Sequence, residues 1–171
     1  SVATIDTEAE FNTEHLQEIA DQYRPDVVFV EYNGTWGVGE VYEMELPKNW
    51  VIVQSLATVD ATTFEMYMAN MRSMMMEQFF QAEVVIFNRC DDNTPKSKFR
   101  GNIKAVNRPA QIVYERADGT IDDREEELPF DINADVIEIS DADYALWFMD
   151  CMENPKKYDG KKVHFLGLVY N

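Results

Sequence analysis

Residues 84–91 read Val-Val-Ile-Phe-Asn-Arg-Cys-Asp, an apolar run that passes directly into a polar loop. A short, continuous apolar run with such an end is typical of a strand buried in a parallel sheet. The pattern therefore predicts a strand over 84–88 that delivers Asn88, Arg89 and Asp91 at its carboxyl end. In open parallel sheets, ligands bind beyond the carboxyl ends of the strands, so these side chains are candidates for a binding site.

The Asn-x-x-Asp spacing after a strand suits the recognition of guanine. A carboxylate such as Asp91 accepts hydrogen bonds from the ring N–H and the exocyclic amino group of guanine, which adenine does not present in that arrangement. Asn88 would brace the loop, and Arg89 would lay its alkyl stem or its guanidinium plane along the base. The alternative for Asn88 and Asp91 is loop capping, because Asn and Asp are common where strands become loops.

Similar apolar runs recur along the chain, separated by segments with helical periodicity. Strands are predicted at 26–32, 51–59 and 110–115, and helices at 7–23, 62–81 and 97–106. Strands that alternate with helices imply parallel pairing through helical crossovers. The predicted fold class is α/β, part of a doubly wound and mostly parallel sheet with flanking helices, plus a short carboxyl-terminal α+β segment.

The carboxyl-terminal part of the chain differs in character. The segment 117–133 is dense in Asp and Glu with little apolar surface to bury, and it is interpreted as an acidic linker. Residues 134–171 are interpreted as the start of a second module, built as strand, helix and strand. Its final strand, at 161–170, would be an unsatisfied edge, so we expect it to pair with the α/β sheet or with another chain. Self-association through unpaired edge strands is the corresponding expectation.

Composition restricts the class of protein. The 171 residues include 32 acidic and 15 basic side chains, for a net charge of −17, which argues against binding nucleic acid or anionic membranes. No apolar run approaches the roughly 18 residues that direct insertion into a membrane requires. The two cysteines are too few for a disulfide framework and indicate a reducing compartment, so a cytoplasmic location is expected.

Five short signals occur in an order that carries a family resemblance. They are Glu31-Tyr-Asn-Gly34, Val59-Asp-Ala61, Gln78 followed by Ala82-Glu83, Asn88-Arg-Cys-Asp91, and Asn107-Arg-Pro-Ala110. This succession resembles the CobW/HypB/UreG class of P-loop GTPases, and the CobW-like branch most closely. The resemblance implies a bacterial GTP-binding protein that couples GTP hydrolysis to delivery of a metal ion or cofactor. Its implied partners are a guanine nucleotide and a client metalloprotein or membrane protein.

The resemblance also assigns roles to individual positions. Glu31 and Gly34 are the implied catalytic positions, with Glu31 holding the water shell of Mg²⁺ or orienting the attacking water. Asn107 is the implied loop brace near the base that Asn88, Arg89 and Asp91 would read. GTP and Mg²⁺ are the implied cofactors, with Zn²⁺ or another transition metal held by a motif that this sequence lacks. The alternative for Glu31 is a strand-end carboxylate in a turn.

Two motifs of that class are missing from the sequence. Neither the P-loop, G-x-x-x-x-G-K-[ST], nor the Cys-x-Cys-Cys metal-binding motif occurs. The backbone N–H groups and the Lys of a P-loop hold the phosphates. Residues 1–116 are therefore interpreted as the later part of a GTPase domain, a fragment that we expect to be inactive alone. The alternative is a non-catalytic, acidic interaction module that binds a partner protein.

Overall fold

The computed structural model describes residues 1–124 and 127–168, which form two sheets with flanking helices. The helices are α1 (Thr13–Tyr23), α2 (Val38–Glu43), α3 (Phe64–Asn70), α4 (Arg72–Glu77), α5 (Lys96–Val106), α6 (Tyr144–Glu153) and α7 (Pro155–Tyr158), after a 3₁₀ turn at Glu8–Glu10. The strands are β1 (Leu56–Asp60), β2 (Val84–Cys90), β3 (Gln111–Arg116), β4 (Val136–Glu138) and β5 (Lys162–His164). None of the described helices is long and apolar enough to cross a membrane.

The larger sheet is parallel, with β2 between β1 and β3. α3 and α4 connect β1 to β2, and α5 connects β2 to β3, so each step along the sheet is a helical crossover. β4 and β5 form a second parallel sheet of two strands. The prediction of an α/β fold with a parallel sheet and a small carboxyl-terminal α+β segment is confirmed.

The main core lies between this sheet and the helices α3 and α5. Val85 and Phe87 of β2 are fully buried, whereas the residues that alternate with them are half-buried, so one face of the strand is covered more completely. The Phe64 ring lies 5.0 Å from the Phe87 ring and 4.7 Å from the Phe99 ring, in edge-to-face contacts. Because Phe64 begins α3 and Phe99 lies in the first turn of α5, this cluster fixes both helix starts beside the carboxyl end of β2.

Two of the predicted strands differ in the structure. The segment 26–32 is not a strand, and its apolar side chains are exposed, with Phe29 at 95%. β1 begins only at Leu56, which leaves Val51 and Val53 exposed by 74% and 80%. Extended backbone becomes a strand only where a neighbour satisfies its N–H and C=O groups. In the described part of the chain β1 pairs with β2 alone, and segment 26–32 does not pair with the free edge of β1.

The predicted helix over 62–81 is interrupted. Met71 has φ −136° and ψ 37°, outside the helical region, and separates α3 from α4. Met68 before the break and Met76 after it are buried in the same core as Phe79. The apolar stripe of this segment therefore packs against the sheet from two short helices.

The carboxyl-terminal residues also depart from expectation. β5 pairs with β4 of the same chain, so the expectation that it joins the larger sheet is wrong, while pairing with another chain stays a prediction. A local core of Phe130, Ile137, Ile139 and Tyr158 accompanies this small sheet. Phe130 comes from the segment read as an acidic linker, and Asp122 of the same segment is only 5% exposed. The expectation that residues 117–133 have little to bury is therefore wrong.

Charged contacts connect α5 to α6. Arg100 donates from Nη1 to Glu153 at 2.7 Å and from Nη2 to Asp150 at 3.3 Å. Burial by itself would raise the pKa of Asp150, but hydrogen bonds from Lys157 and Tyr158 hold that pKa below its usual range. Asp150 therefore serves as an ionised hub that ties the small sheet's helices to α5.

Candidate functional site

The candidate site lies at the carboxyl edge of the larger sheet, where β1 and β2 end side by side. Asp60 and Asn88 are register partners, and the Ala61 N–H donates to the Asn88 carbonyl at 3.0 Å. Just beyond Phe87, β2 shifts its register against β3. Arg89, inside this irregularity, has φ 56°, in the left-handed region that residues other than glycine seldom adopt. Such strained backbone is frequent where a strand is redirected at a functional site.

The loop after β2 holds one oxygen of the Asp91 carboxylate and leaves the other open. Oδ1 accepts from the Asn93 N–H at 2.9 Å and from the Thr94 hydroxyl at 3.2 Å. The Asp91 N–H donates to Thr94 Oγ1 at 2.9 Å, which closes the loop on itself. Oδ2 has no hydrogen-bond partner among the residues that the structure describes. Because Asp91 is exposed, it presents a fixed carboxylate oxygen to solvent at the sheet edge.

Asn88 presents an unsatisfied polar atom at the same edge. Its side-chain Oδ1 is buried and has no hydrogen-bond partner within the described ranges 1–124 and 127–168. A buried acceptor without a partner costs roughly 1–3 kcal/mol, so such atoms commonly belong to sites that a ligand or water completes. Oδ2 of Asp91 is an open acceptor and Oδ1 of Asn88 is a buried one without a partner, and such acceptors suit a ligand edge that carries N–H donors. This edge is therefore the candidate position for a ligand that presents N–H donors.

Arg89 is engaged with the neighbouring strand. Its Nη1 lies 2.5 Å from Oδ2 of Asp60, the last residue of β1. Oδ1 of Asp60 accepts from the Thr62 hydroxyl at 2.6 Å and the Thr62 N–H at 2.9 Å, and these bonds hold the pKa of Asp60 below its usual range. The Arg89 side chain thus links the carboxyl ends of β1 and β2. Because both members are partly exposed, the pair contributes little to stability.

Asn107 is not part of this edge, which corrects its predicted place near the base. Its side-chain amide donates to the carbonyls of Phe79 and Ala82 at 2.6 and 2.8 Å, and both residues precede β2. Asn107 itself precedes β3, so it lies at the amino end of the parallel sheet. β2 is seven residues long and rises about 3.3 Å per residue, which places the two ends roughly 20 Å apart. Asn107 braces the opposite end of the sheet.

Glu31 and Gly34 lie in an irregular, exposed segment. Within the described residues, neither makes a hydrogen bond or ion pair with the loop after β2. The position of a Cβ at Gly34 is open space. The segment is anchored by Tyr32, whose ring packs edge-to-face on Phe11 at 5.2 Å and on Trp36 at 5.5 Å. The catalytic roles of Glu31 and Gly34 stay predictions.

A buried ion-pair network behind the loop escaped the sequence analysis. Lys96, the first residue of α5, and Asp122 are each 5% exposed, and the Lys96 ammonium lies 2.9 Å from the Asp122 carboxylate. Arg124 donates to both carboxylate oxygens of Asp122, at 2.8 and 2.5 Å. Hydrogen bonds from Arg124 and then Lys96 hold the pKa of Asp122 far below its usual range. The sequence feature that could have indicated this network is Arg124, a basic residue within an acidic run, where it can pair with a nearby carboxylate.

The described residues do not assemble a metal site. Across ranges 1–124 and 127–168, no group of three or more His, Cys, Asp or Glu side chains is placed to hold a metal ion. The Cys90 thiol donates to the Phe87 carbonyl at 3.3 Å, and burial raises its pKa. Cys90 therefore behaves as a small core residue.

Comparison with known protein families gives a match over most of the chain. Residues 4–114 match the family model described as CobW/HypB/UreG, nucleotide-binding domain. The match includes β1, β2 and the loop after β2, and it ends inside β3. No curated protein and no solved structure matches the chain. The chain belongs to the CobW/HypB/UreG nucleotide-binding domain family.

Proposed function

We propose that the chain binds a guanine nucleotide through the loop after β2, as part of a cytoplasmic GTPase that delivers a metal ion or cofactor to a client protein. Membership of a nucleotide-binding family supports the nucleotide. The single observation that carries the choice of base is the open Oδ2 of Asp91, at the sheet edge beside the unsatisfied Oδ1 of Asn88.

The open acceptors of this edge match guanine better than adenine. Guanine presents its N1–H and its exocyclic amino group side by side, and a carboxylate such as Asp91 accepts from both. Adenine presents a ring acceptor at the corresponding position, which a carboxylate repels. A hydrogen bond to a charged group contributes about 1.5–3 kcal/mol, so losing one weakens binding about tenfold or more.

The described residues include candidate contacts for the base, but no P-loop to hold the phosphates. The sequence has no P-loop, and no described acidic cluster fits Mg²⁺. Bound Mg²⁺ and nucleotide would supply the chemistry of phosphoryl transfer. Glu31 and Gly34 are proposed as catalytic positions on the resemblance alone.

A titration with fluorescent GDP and ADP, with and without Mg²⁺, tests the proposal. The wild-type chain is expected to prefer GDP, and Asp91→Ala is expected to remove the preference by weakening GDP about tenfold or more. Asp131→Ala is the matched control, because Asp131 is also exposed and also accepts from the N–H two residues on, in a loop before β4. Equal binding of GDP and ADP by the wild type, or an unchanged preference in Asp91→Ala, would refute the proposal.

A second function, binding of a partner protein, is favoured by a separate observation. The runs 27–30 and 51–53 are apolar and exposed, whereas apolar runs of this kind are ordinarily buried. In this interpretation the acidic body, with a net charge of −17, keeps the chain soluble while the exposed runs make the contact. A chain that binds neither nucleotide, yet associates through residues 51–53, would support this function over the first.

A further inference from the structure

We propose that Arg124, held by Asp122 and Lys96, is a positioning residue that fixes Asp91 for base recognition. The inference rests on the proposed guanine-binding function and adds a specificity-determining element that lies outside the loop itself. It assigns a role to the acidic segment after β3, which the sequence alone indicates only as a linker.

Arg124 connects this segment to the backbone of Asp91. Its Nη2 donates to the Asp91 carbonyl at 2.7 Å, and the same guanidinium donates hydrogen bonds to both carboxylate oxygens of Asp122. Its Nη1 lies 2.8 Å from Oδ1 of Asp92, the next residue of the loop. A planar guanidinium donates along several fixed directions at once, so the loop and Asp122 are joined through one rigid group.

Asp122 is in turn held by Lys96. The Lys96 ammonium donates to the Asp122 carboxylate at 2.9 Å, to the Asp122 carbonyl at 2.8 Å and to the Arg124 carbonyl at 3.0 Å. Its three donors are thereby committed, and its Nζ lies 5.1 Å from the centre of the Tyr114 ring. The Asp122 N–H donates to the Tyr114 carbonyl at 2.8 Å, which ties the segment to β3. Lys96 opens α5, so the anchor is part of the core and not of the loop.

This arrangement restrains the backbone of Asp91 and leaves its Oδ2 open. The loop's own bonds from Asn93 and Thr94 orient the carboxylate relative to the loop backbone. These bonds act within the loop. Two further bonds restrain it from outside: Arg116 of β3 donates to the Asp92 side chain, and Arg124 donates directly to the Asp91 carbonyl. A recognition group held to within a fraction of an ångström keeps its selectivity, and loosening its support lowers selectivity before it lowers stability.

Three variants test the role. Arg124→Ala removes the restraint, and Arg124→Lys keeps the charge beside Asp122 but lacks the fork needed to hold Asp91 as well. Arg116→Ala is the matched control, because Arg116 donates to the same Asp92 oxygen at 2.6 Å and also lies 4.0 Å from the Asp122 carboxylate, but does not contact the Asp91 backbone. Circular dichroism melting of each variant verifies that the fold is retained.

Two measurements on these variants separate the proposals. The first is the ratio of GDP to ADP affinity, and the second is amide hydrogen exchange at Asn93 and Thr94 without nucleotide, followed by NMR. Both Arg124 variants are expected to weaken GDP about fivefold to tenfold with ADP unchanged, while Arg116→Ala stays within about twofold. Exchange at the two amides is expected to accelerate about fivefold in Arg124→Ala and not in Arg116→Ala.

Either of two results would overturn the positioning role. One is a GDP to ADP ratio in both Arg124 variants equal to that of Arg116→Ala; the other is unchanged exchange at Asn93 and Thr94 in Arg124→Ala. If the wild type shows no preference for GDP, the guanine assignment fails by itself, and exchange still decides whether Arg124 holds the loop.

Discussion

Residues 84–87 (Val-Val-Ile-Phe) and residues 27–30 (Val-Val-Phe-Val) are both apolar runs that pass into a polar loop. The first run is the centre of the larger sheet, with Val85 and Phe87 fully buried, while the second is not a strand and has Phe29 95% exposed. β2 has a paired strand on each side and helices over one face, and segment 27–30 has neither in the described part of the chain. An apolar run specifies a buried strand only together with the elements that pair with it and cover it.

Matched truncations in the two runs should give the largest contrast. Phe87→Ala is expected to lower the free energy of unfolding by about 3–5 kcal/mol, because it opens a cavity among the Phe64, Phe99 and Tyr114 rings. Phe29→Ala is expected to change it by less than about 0.5 kcal/mol. Urea denaturation of both variants measures the difference. A cost at Phe29 close to that at Phe87 would mean that segment 27–30 is buried in solution.

A buried and an exposed lysine should differ in the same way in their contribution to stability. Lys96→Met should destabilise the chain by roughly 3 kcal/mol, because it removes the buried cation that pairs with the Asp122 carboxylate and leaves the more exposed Arg124 and Arg116. Lys98→Met, two residues on, should cost less than about 1 kcal/mol, because Lys98 pairs with Glu65 at the exposed surface. Thermal melting of the two variants side by side measures this. Equal costs would show that the Lys96 pair is solvated and not a structural anchor.

The comparison of these regions shows which features of the structure can be predicted from the sequence. The apolar runs 84–88 and 110–115 correctly predicted β2 and β3, which pair with each other in the sheet. The Asn88–Asp91 spacing predicted a candidate site at the carboxyl end of β2. The sequence could not reveal that residues 26–32 stay unpaired, since pairing is a property of the neighbouring strands. Nor could it reveal the burial of Asp122, because an acidic run looks solvated until a specific Lys or Arg is seen to enclose one carboxylate.

Acid should expose the role of the buried carboxylate. Arg124 and Lys96 lower the pKa of Asp122 relative to its value of about 4 in the unfolded chain. A carboxyl with a lowered pKa stabilises the fold above about pH 4, and that stabilisation is lost as the pH falls below this value. The urea midpoint of the wild type should therefore fall between about pH 5 and 3 more steeply than that of Asp122→Asn. Asp131→Asn, an exposed loop carboxylate, is the control and should follow the wild type.

The smallest effect is expected at the exposed run before β1. Val53→Lys should leave the free energy of unfolding within about 0.5 kcal/mol, because Val53 is 80% exposed. It should nevertheless reduce self-association, since a charge on an exposed edge opposes pairing between chains. Sedimentation velocity at increasing concentration measures this. A loss of stability in Val53→Lys, with no change in association, would contradict the open edge at β1.

In the proposed function, Asp91 recognises guanine by accepting hydrogen bonds from the two neighbouring N–H donors of the base. The most direct test compares GDP with inosine diphosphate, which keeps the ring N–H and lacks the exocyclic amino group. The wild type is expected to bind GDP about tenfold more tightly than inosine diphosphate, and Asp91→Ala is expected to bind the two equally. Equal affinities for the two nucleotides in the wild-type chain would contradict the claim.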